Sequence, residues 1–88
     1  MTPMGSRVPP DVMTAHLDGE AVLLHLKTKA YFKLNDTAAE LWKGLEAGED
    51  EAAIIARLTA KFDVDAETAR TESNRVIEEL RSRGLLER

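Results

Sequence analysis

The sequence predicts an α+β domain, with a three-stranded antiparallel β-sheet followed by a three-helix bundle, similar to a winged helix-turn-helix arrangement. Two observations support this fold class. Apolar and polar residues alternate up to about residue 34, as in strands, and apolar residues then recur every three or four positions, as in helices. The two patterns meet at residues 30–35, where a short strand runs directly into a helix.

Length and composition indicate one small domain. The chain has 88 residues, of which 43% are hydrophobic and 32% charged, a balance typical of globular proteins. Residues 1–10 contain three prolines and predict a flexible tail, so the expected domain covers residues 11–88. No apolar run is long enough to span a bilayer, and the first residues do not resemble a secretory signal, which favours a cytoplasmic location.

Two strands are predicted ahead of residue 27. The first covers about 11–17 and the second 20–26, and the alternation in both is clear. Asp18-Gly19 between them is the strongest two-residue hairpin signal in the chain, because glycine tolerates a positive φ at low cost.

A third strand is predicted for residues 30–34, after a polar turn. Successive side chains of a strand point to opposite faces of the sheet. We therefore expect Phe32 and Leu34 to face the core and Tyr31 and Lys33 to face away from it.

The first helix is expected to begin at one of three consecutive residues. Asn35, Asp36 and Thr37 can each cap a helix, and the sequence leaves the choice open. Thr37 with Glu40 also matches a capping box. The helix carries one apolar stripe, formed by Ala38, Leu41, Trp42 and Leu45.

Two more helices follow, with Asp50 and Asp65 as expected caps. The apolar set of the second helix is Ala53, Ile54, Ile55, Ala56, Leu58 and Phe62. The third helix is predicted for about 66–83, ends at Gly84, and precedes an apolar Leu85-Leu86 pair that folds back on the core. Its inward residues are Ala69, Ser73, Val76, Ile77 and Leu80. Its i,i+4 ion pairs are Arg75–Glu79 and Glu79–Arg83.

Motifs for catalysis or metal binding are missing from the sequence. The chain has no cysteine, which excludes disulfides and thiolate chemistry. His16 and His25 lie on opposite sides of a turn without further ligands nearby, so they do not predict a metal site. Residues 63–67 begin like a calcium loop but lack its later glycine and glutamate. No phosphate-binding loop is present either. We expect no metal, no cofactor and no enzymatic activity.

Nucleic-acid binding is a natural alternative for a winged-helix arrangement, but the charge does not favour it. The net charge is −4, and the third helix, which would be the recognition helix, carries five acidic and four basic residues between Asp65 and Arg83. Phosphate contacts need an excess of positive charge. A DNA-binding regulator therefore remains the weaker hypothesis.

Three segments of the chain resemble the PqqD-like family. They are Gly19 to Leu24 (GEAVLL), Tyr31 to Trp42 (YFKLNDTAAELW) and Val76 to Leu86 (VIEELRSRGLL). Members of this family are RiPP recognition elements, which bind the leader segment of ribosomally made, post-translationally modified peptides. The resemblance is greatest to the stand-alone leader-binding subunit of lasso-peptide pathways, whose partner is a leader peptidase. A subunit that assists a radical SAM enzyme in pyrroloquinoline-quinone synthesis is the alternative within the family.

This resemblance implies a binding site built from backbone groups rather than reactive side chains. Family members bind the leader as an added antiparallel strand on the third strand, facing the third helix, because an edge strand offers unpaired N–H and C=O groups. The strand residues of this site would be Lys29, Ala30, Tyr31, Phe32, Lys33 and Leu34. The helix residues would be Arg70, Ser73, Asn74, Ile77 and Arg81, of which Ile77 also fits the core. The same edge would allow weak pairing between two copies of the chain. In the turn before this strand the family usually has a glycine, whereas this chain has Lys29-Ala30.

Overall fold

The computed structural model describes residues 8–87, and it confirms the predicted fold class. Three strands come first, β1 (Val12–Leu17), β2 (Glu20–His25) and β3 (Tyr31–Leu34). Three helices follow, α1 (Asp36–Glu46), α2 (Glu51–Lys61) and α3 (Ala66–Ser82). The predicted flexible tail falls mainly on residues 1–7, which lie outside the described part.

The strands form one antiparallel sheet in the order β1-β2-β3. Asp18 and Gly19 both have positive φ, 46° and 84°, which is the geometry of the two-residue hairpin turn that matches the twist of the flanking strands. One face of the sheet packs on the helices through Ala21, Leu23 and Leu34, all of which are buried. The predicted inward orientation of Leu34 is therefore confirmed.

The other face of the sheet carries a row of exposed apolar side chains. Met13 pairs with Leu24, and Leu24 pairs with Tyr31, so that the three residues lie side by side across the three strands. Their exposed fractions are 57%, 37% and 74%. The row ends at Tyr31, on the edge strand β3.

The turn between β2 and β3 places Lys29 in the left-handed region, with φ 65°. The Lys29 amide donates to the carbonyl of His25, and the His25 amide donates to the carbonyl of Ala30, both at 2.8 Å. A residue with a Cβ is strained by about 1–2 kcal/mol in this conformation. The departure from glycine noted in the sequence therefore leaves the strand intact but strains the turn.

We expect Lys29→Gly to stabilise the domain. Relief of the strain, less the extra entropy of glycine in the unfolded chain, leaves a gain of about 0.5–1 kcal/mol. For a domain of this size this gain raises the Tm by about 2–8 °C, measurable by thermal denaturation. Lys27→Gly is the matched control, because Lys27 lies in the same turn without a positive φ. A gain from both substitutions, or from neither, would contradict the assignment of strain to Lys29.

Helix α1 begins after Asn35, whose side chain accepts a hydrogen bond from the amide of Ala38 at 2.9 Å. Asn35 is therefore the cap among the three candidates. The capping box of Thr37 and Glu40 is wrong, because Glu40 is buried and points toward α2 instead. The predicted apolar stripe of α1 is confirmed, since all four of its residues are buried.

Glu40 is the centre of an ion-pair cluster that joins α1 to α2. Its carboxylate accepts from Arg57 at 2.7 Å and from Lys61 at 3.0 Å. Arg57 also donates to Glu49, which lies in the connection between α1 and α2. These hydrogen bonds, chiefly that of Arg57, lower the pKa of Glu40 despite its burial. In turn, Glu49 and Glu40 raise the pKa of Arg57. The acidic and basic side chains of the cluster pair with one another, so we assign the cluster a structural role in joining the two helices.

The remaining helix boundaries follow the sequence closely. Asp50 and Asp65 cap α2 and α3 as predicted, and a hydrogen bond from Thr68 lowers the pKa of Asp65. Gly84, with φ 74°, ends α3, and the Leu85-Leu86 pair is buried.

Two predicted details of the helices are wrong, the burial of two alanines in α2 and one ion pair of α3. Ala53 and Ala56 are exposed, because a narrow stripe of α2 suffices to cover α1. Arg75 pairs with Glu72 at 3.1 Å instead of Glu79, which pairs with Arg83 at 3.2 Å.

Candidate functional site

The free edge of the sheet is the outer side of β3, since β3 pairs only with β2 among the described residues. The carbonyl of Ala30 accepts from His25, so it points toward β2. Backbone groups of an antiparallel strand alternate in direction, and Phe32 and Leu34 must therefore also point toward β2. The N–H and C=O groups of Tyr31 and Lys33 consequently point away from the sheet, where another strand could pair with them.

A groove lies alongside this edge, between β3 and α3. Its volume is about 340 Å³. Strand β3 and the N-terminus of α1 contribute Phe32, Lys33, Leu34, Asn35 and Thr37. The floor is formed mainly by apolar residues of the three helices and the α2–α3 connection, namely Ala38, Leu41, Leu58, Val64 and Val76. The far wall on α3 is formed by Glu72, Ser73, Arg75 and Glu79. An apolar floor below a free strand edge can hold alternate side chains of an extended peptide.

The charges on the groove wall neutralise one another locally. Arg75 pairs with Glu72 at 3.1 Å, and this contact raises the pKa of Arg75. Arg83 pairs with Glu79 at 3.2 Å, and its guanidinium also lies over the ring of Phe32, 4.9 Å from the ring centroid. This cation–π contact bridges α3 and β3 at one end of the groove. No strong field of one sign results, so the wall does not select for a highly charged ligand.

Of the six predicted strand residues, Tyr31 to Leu34 form β3, whereas Lys29 and Ala30 precede it. Phe32, Lys33 and Leu34 line the groove, but only one of the five predicted helix residues does. That residue is Ser73. Ile77 is buried in the core with an exposed fraction of 2%. Arg70 pairs with Glu51 of α2, its Nε lying 3.8 Å from the carboxylate.

Asn74 and Arg81 also lie outside the lining of the groove. Arg81 pairs with Glu78 at 2.7 Å, and Asn74 is exposed. Contact between these residues and a peptide stays a prediction. The lining of the groove does not include Arg70, Asn74, Ile77 or Arg81.

The sequence did contain one indication of which α3 residues line the groove. Glu72, Val76 and Glu79 recur at spacings of four and three, so they share one flank of α3. Val76 is the apolar residue that widens the core stripe of α3 on that flank, and no apolar residue widens it on the opposite flank. The uncharged Asn74 was a misleading signal, since its polarity reflects exposure to solvent.

Within residues 8–87, no group of three or more His, Asp or Glu residues could hold a metal ion. None of the described helices has the length and apolar character needed to cross a bilayer.

Two solved structures are similar to this chain over nearly its whole length. One shows TbiB1 in complex with the TbiA(beta) leader peptide. It has 32% sequence identity and a TM-score of 0.84, with 91% of this chain and 93% of that chain covered. The other shows lasso peptide synthetase B1 complexed with the leader peptide. It has 28% identity and a TM-score of 0.82, with 93% and 96% covered. A comparison with curated proteins returns no significant match.

The match to a family model covers most of the chain. The model describes coenzyme PQQ synthesis protein D (PqqD), and it matches residues 20–86, from the start of β2 to the buried Leu86. This range includes the edge strand, all three helices and the groove. The resemblance noted in the sequence is confirmed, and the chain belongs to the PqqD family.

Proposed function

We propose that this protein is a non-catalytic peptide-binding module that captures the leader of a ribosomally made precursor peptide as an added strand on β3. The observation that carries the proposal is the free edge of β3 beside an apolar groove, in a fold shared with two proteins seen in complex with leader peptides. In the cytoplasm, where ribosomal products arise, the module would deliver the bound precursor to a processing enzyme.

Strand addition follows from the direction of the backbone groups on β3. Tyr31 and Lys33 offer two outward N–H donors and two outward C=O acceptors, which an antiparallel strand can satisfy without any particular sequence. Alternate side chains of the added strand would then enter the groove or continue the exposed row that ends at Tyr31. Backbone pairing supplies affinity, and the groove supplies selection.

The proposal predicts a specific pattern of amide protection. The TbiA(beta) leader and leader peptides of lasso-peptide precursors are screened for binding, and hydrogen exchange is followed by NMR with the tightest one. We expect the amides of Tyr31 and Lys33 to exchange at least tenfold more slowly in the complex, because they gain hydrogen-bond partners. The amides of Phe32 and Leu34 already pair with β2, and their exchange should change much less.

Two results would contradict strand addition. One is the absence of binding by any peptide of the panel. The other is binding that protects residues of the exposed row on β1 and β2 while Tyr31 and Lys33 remain unprotected. Pairing between two copies through β3 would also protect both amides, but it would depend on protein concentration and would be competed away by the leader.

The processing enzyme is proposed to be the leader peptidase of a lasso-peptide pathway. One of the two similar structures supports this choice over a radical enzyme of pyrroloquinoline-quinone synthesis, since it shows lasso peptide synthetase B1 with a leader peptide. Co-purification of the chain with each class of enzyme, in the presence of leader, separates the two. A DNA-binding regulator has no comparable support, because α3 presents mutually paired charges at the groove.

A further inference from the structure

Among residues 8–87, two buried residues are polar or charged, and only one of the two has hydrogen-bond partners for its side chain. Glu40 is satisfied by Arg57 and Lys61. Ser73 has an exposed fraction of 2%, and its Oγ has no hydrogen-bond partner among residues 8–87. Buried polar side chains are usually paired, because a hydroxyl that loses water without a partner destabilises the folded state. Ser73 therefore needs an explanation other than stability.

Helix geometry gives no local reason for a serine at this position. A serine inside a helix often bonds to the carbonyl one turn earlier, but Ser73 makes no such bond. Alanine would also have the higher helix propensity. What distinguishes position 73 is its place in the fold. Ser73 lies near the middle of α3 and forms part of the groove wall that faces the sheet.

We infer that the hydroxyl of Ser73 is a specificity determinant of the groove, and that it forms a hydrogen bond with an uncharged polar group at the tip of a leader side chain. This inference rests on the proposed function. The Oγ is shielded from water, so the entering side chain reaches it by displacing the side chains beside it, of which Val76, one turn further along α3, is only half-buried. Rotamer changes of this size are common when peptides bind.

The chemistry of the surroundings narrows the ligand to a hydroxyl or a carboxamide. Leu34, Leu41 and Leu58 around the groove would leave a charged tip without a counter-ion. The charged residues on the wall are already engaged, Arg75 with Glu72 and Arg83 with Glu79. A neutral group that both donates and accepts matches the Ser73 hydroxyl and leaves no buried charge unpaired.

The test compares stability and affinity in Ser73→Ala. We expect the free variant to be as stable as the wild type or to melt a few degrees higher, since an unsatisfied hydroxyl is removed. We expect its affinity for the tightest leader of the screen to fall about five- to tenfold, as for the loss of one hydrogen bond. Thr71→Ala removes a hydroxyl from the exposed side of the same helix and should change neither quantity.

An alanine scan of the leader identifies the group that Ser73 binds. Replacing one uncharged polar leader residue should weaken binding to the wild type about five- to tenfold and binding to Ser73→Ala by less than twofold. Unchanged affinity of Ser73→Ala, a lower melting temperature, or the absence of any coupled leader residue would each overturn the inference. In those cases protection of Tyr31 and Lys33 by the leader would persist. If the leader did not slow amide exchange at Tyr31 and Lys33 in the wild type, that separate result would refute the proposed function.

Discussion

Lys33→Pro is expected to weaken leader binding at least about thirtyfold while leaving the domain folded. The N–H of Lys33 points away from β2, so a proline there removes a donor from the free edge and none from the sheet. The loss leaves one leader carbonyl unpaired in the complex, and the proline ring obstructs the approaching strand. A penalty of about 2 kcal/mol or more corresponds to the stated factor. Fluorescence polarisation with a labelled leader measures it.

Lys33→Ala is the matched control for this experiment. It removes the same side chain, including the ion pair of Lys33 with Glu20 at 3.4 Å, but it keeps the backbone donor. An exposed ion pair contributes little, and we expect the affinity of this variant to stay within threefold of the wild type. Equal losses for the alanine and proline variants would assign the effect to the side chain. The proline variant should keep its far-UV circular dichroism, which separates lost binding from lost folding.

Trp42→Ala is expected to produce the largest loss of stability. Trp42 is fully buried, and its Nε1 donates to the Oγ1 of Thr14 at 2.9 Å, so one side chain fills the core and ties α1 to β1. Truncating a buried tryptophan costs about 3–5 kcal/mol. A domain of 88 residues has a total stability of about 4–13 kcal/mol, so the variant should be partly or wholly unfolded at 37 °C. Urea denaturation followed by circular dichroism measures the change.

Two further variants divide this loss into packing and hydrogen bonding. Thr14→Val removes the acceptor of the indole N–H at nearly constant volume, and we expect it to cost about 1–2 kcal/mol. Trp42→Phe removes the donor and part of the volume, so its cost should lie between those of the other two variants. A cost of less than about 1 kcal/mol for Trp42→Ala would contradict the close packing of the indole ring in the core.

The parts of this structure that sequence patterns predicted well are those set by neighbours in the chain. The Asp18-Gly19 hairpin depends on backbone conformations that few residues adopt, and Asp50 and Asp65 cap helices by bonding to amides three residues ahead. The edge position of β3 followed from strand order together with the family resemblance. Each of these features is decided within a few residues or by the order of the elements.

The wall of the groove on α3 depends on tertiary packing, and there the sequence was insufficient. Apolar spacing identified the core stripe of α3 correctly, but a stripe has two flanks, and periodicity does not say which flank borders the sheet. The prediction chose the flank of Asn74 and Arg81, whereas the groove borders the flank of Glu72 and Val76. The same limit applied to Glu40, whose partners Arg57 and Lys61 lie on another helix.

Because β3 is short, its backbone groups alone would not fix the register of a bound leader. Only Tyr31 and Lys33 point outward, so a leader that slid along the edge by two residues would keep nearly the same backbone pairing. Such a slide would move every downstream residue by about 7 Å. Under the proposed function, the leader side chain that enters the groove would fix the register, and with it the distance from the domain to the bond that the enzyme processes.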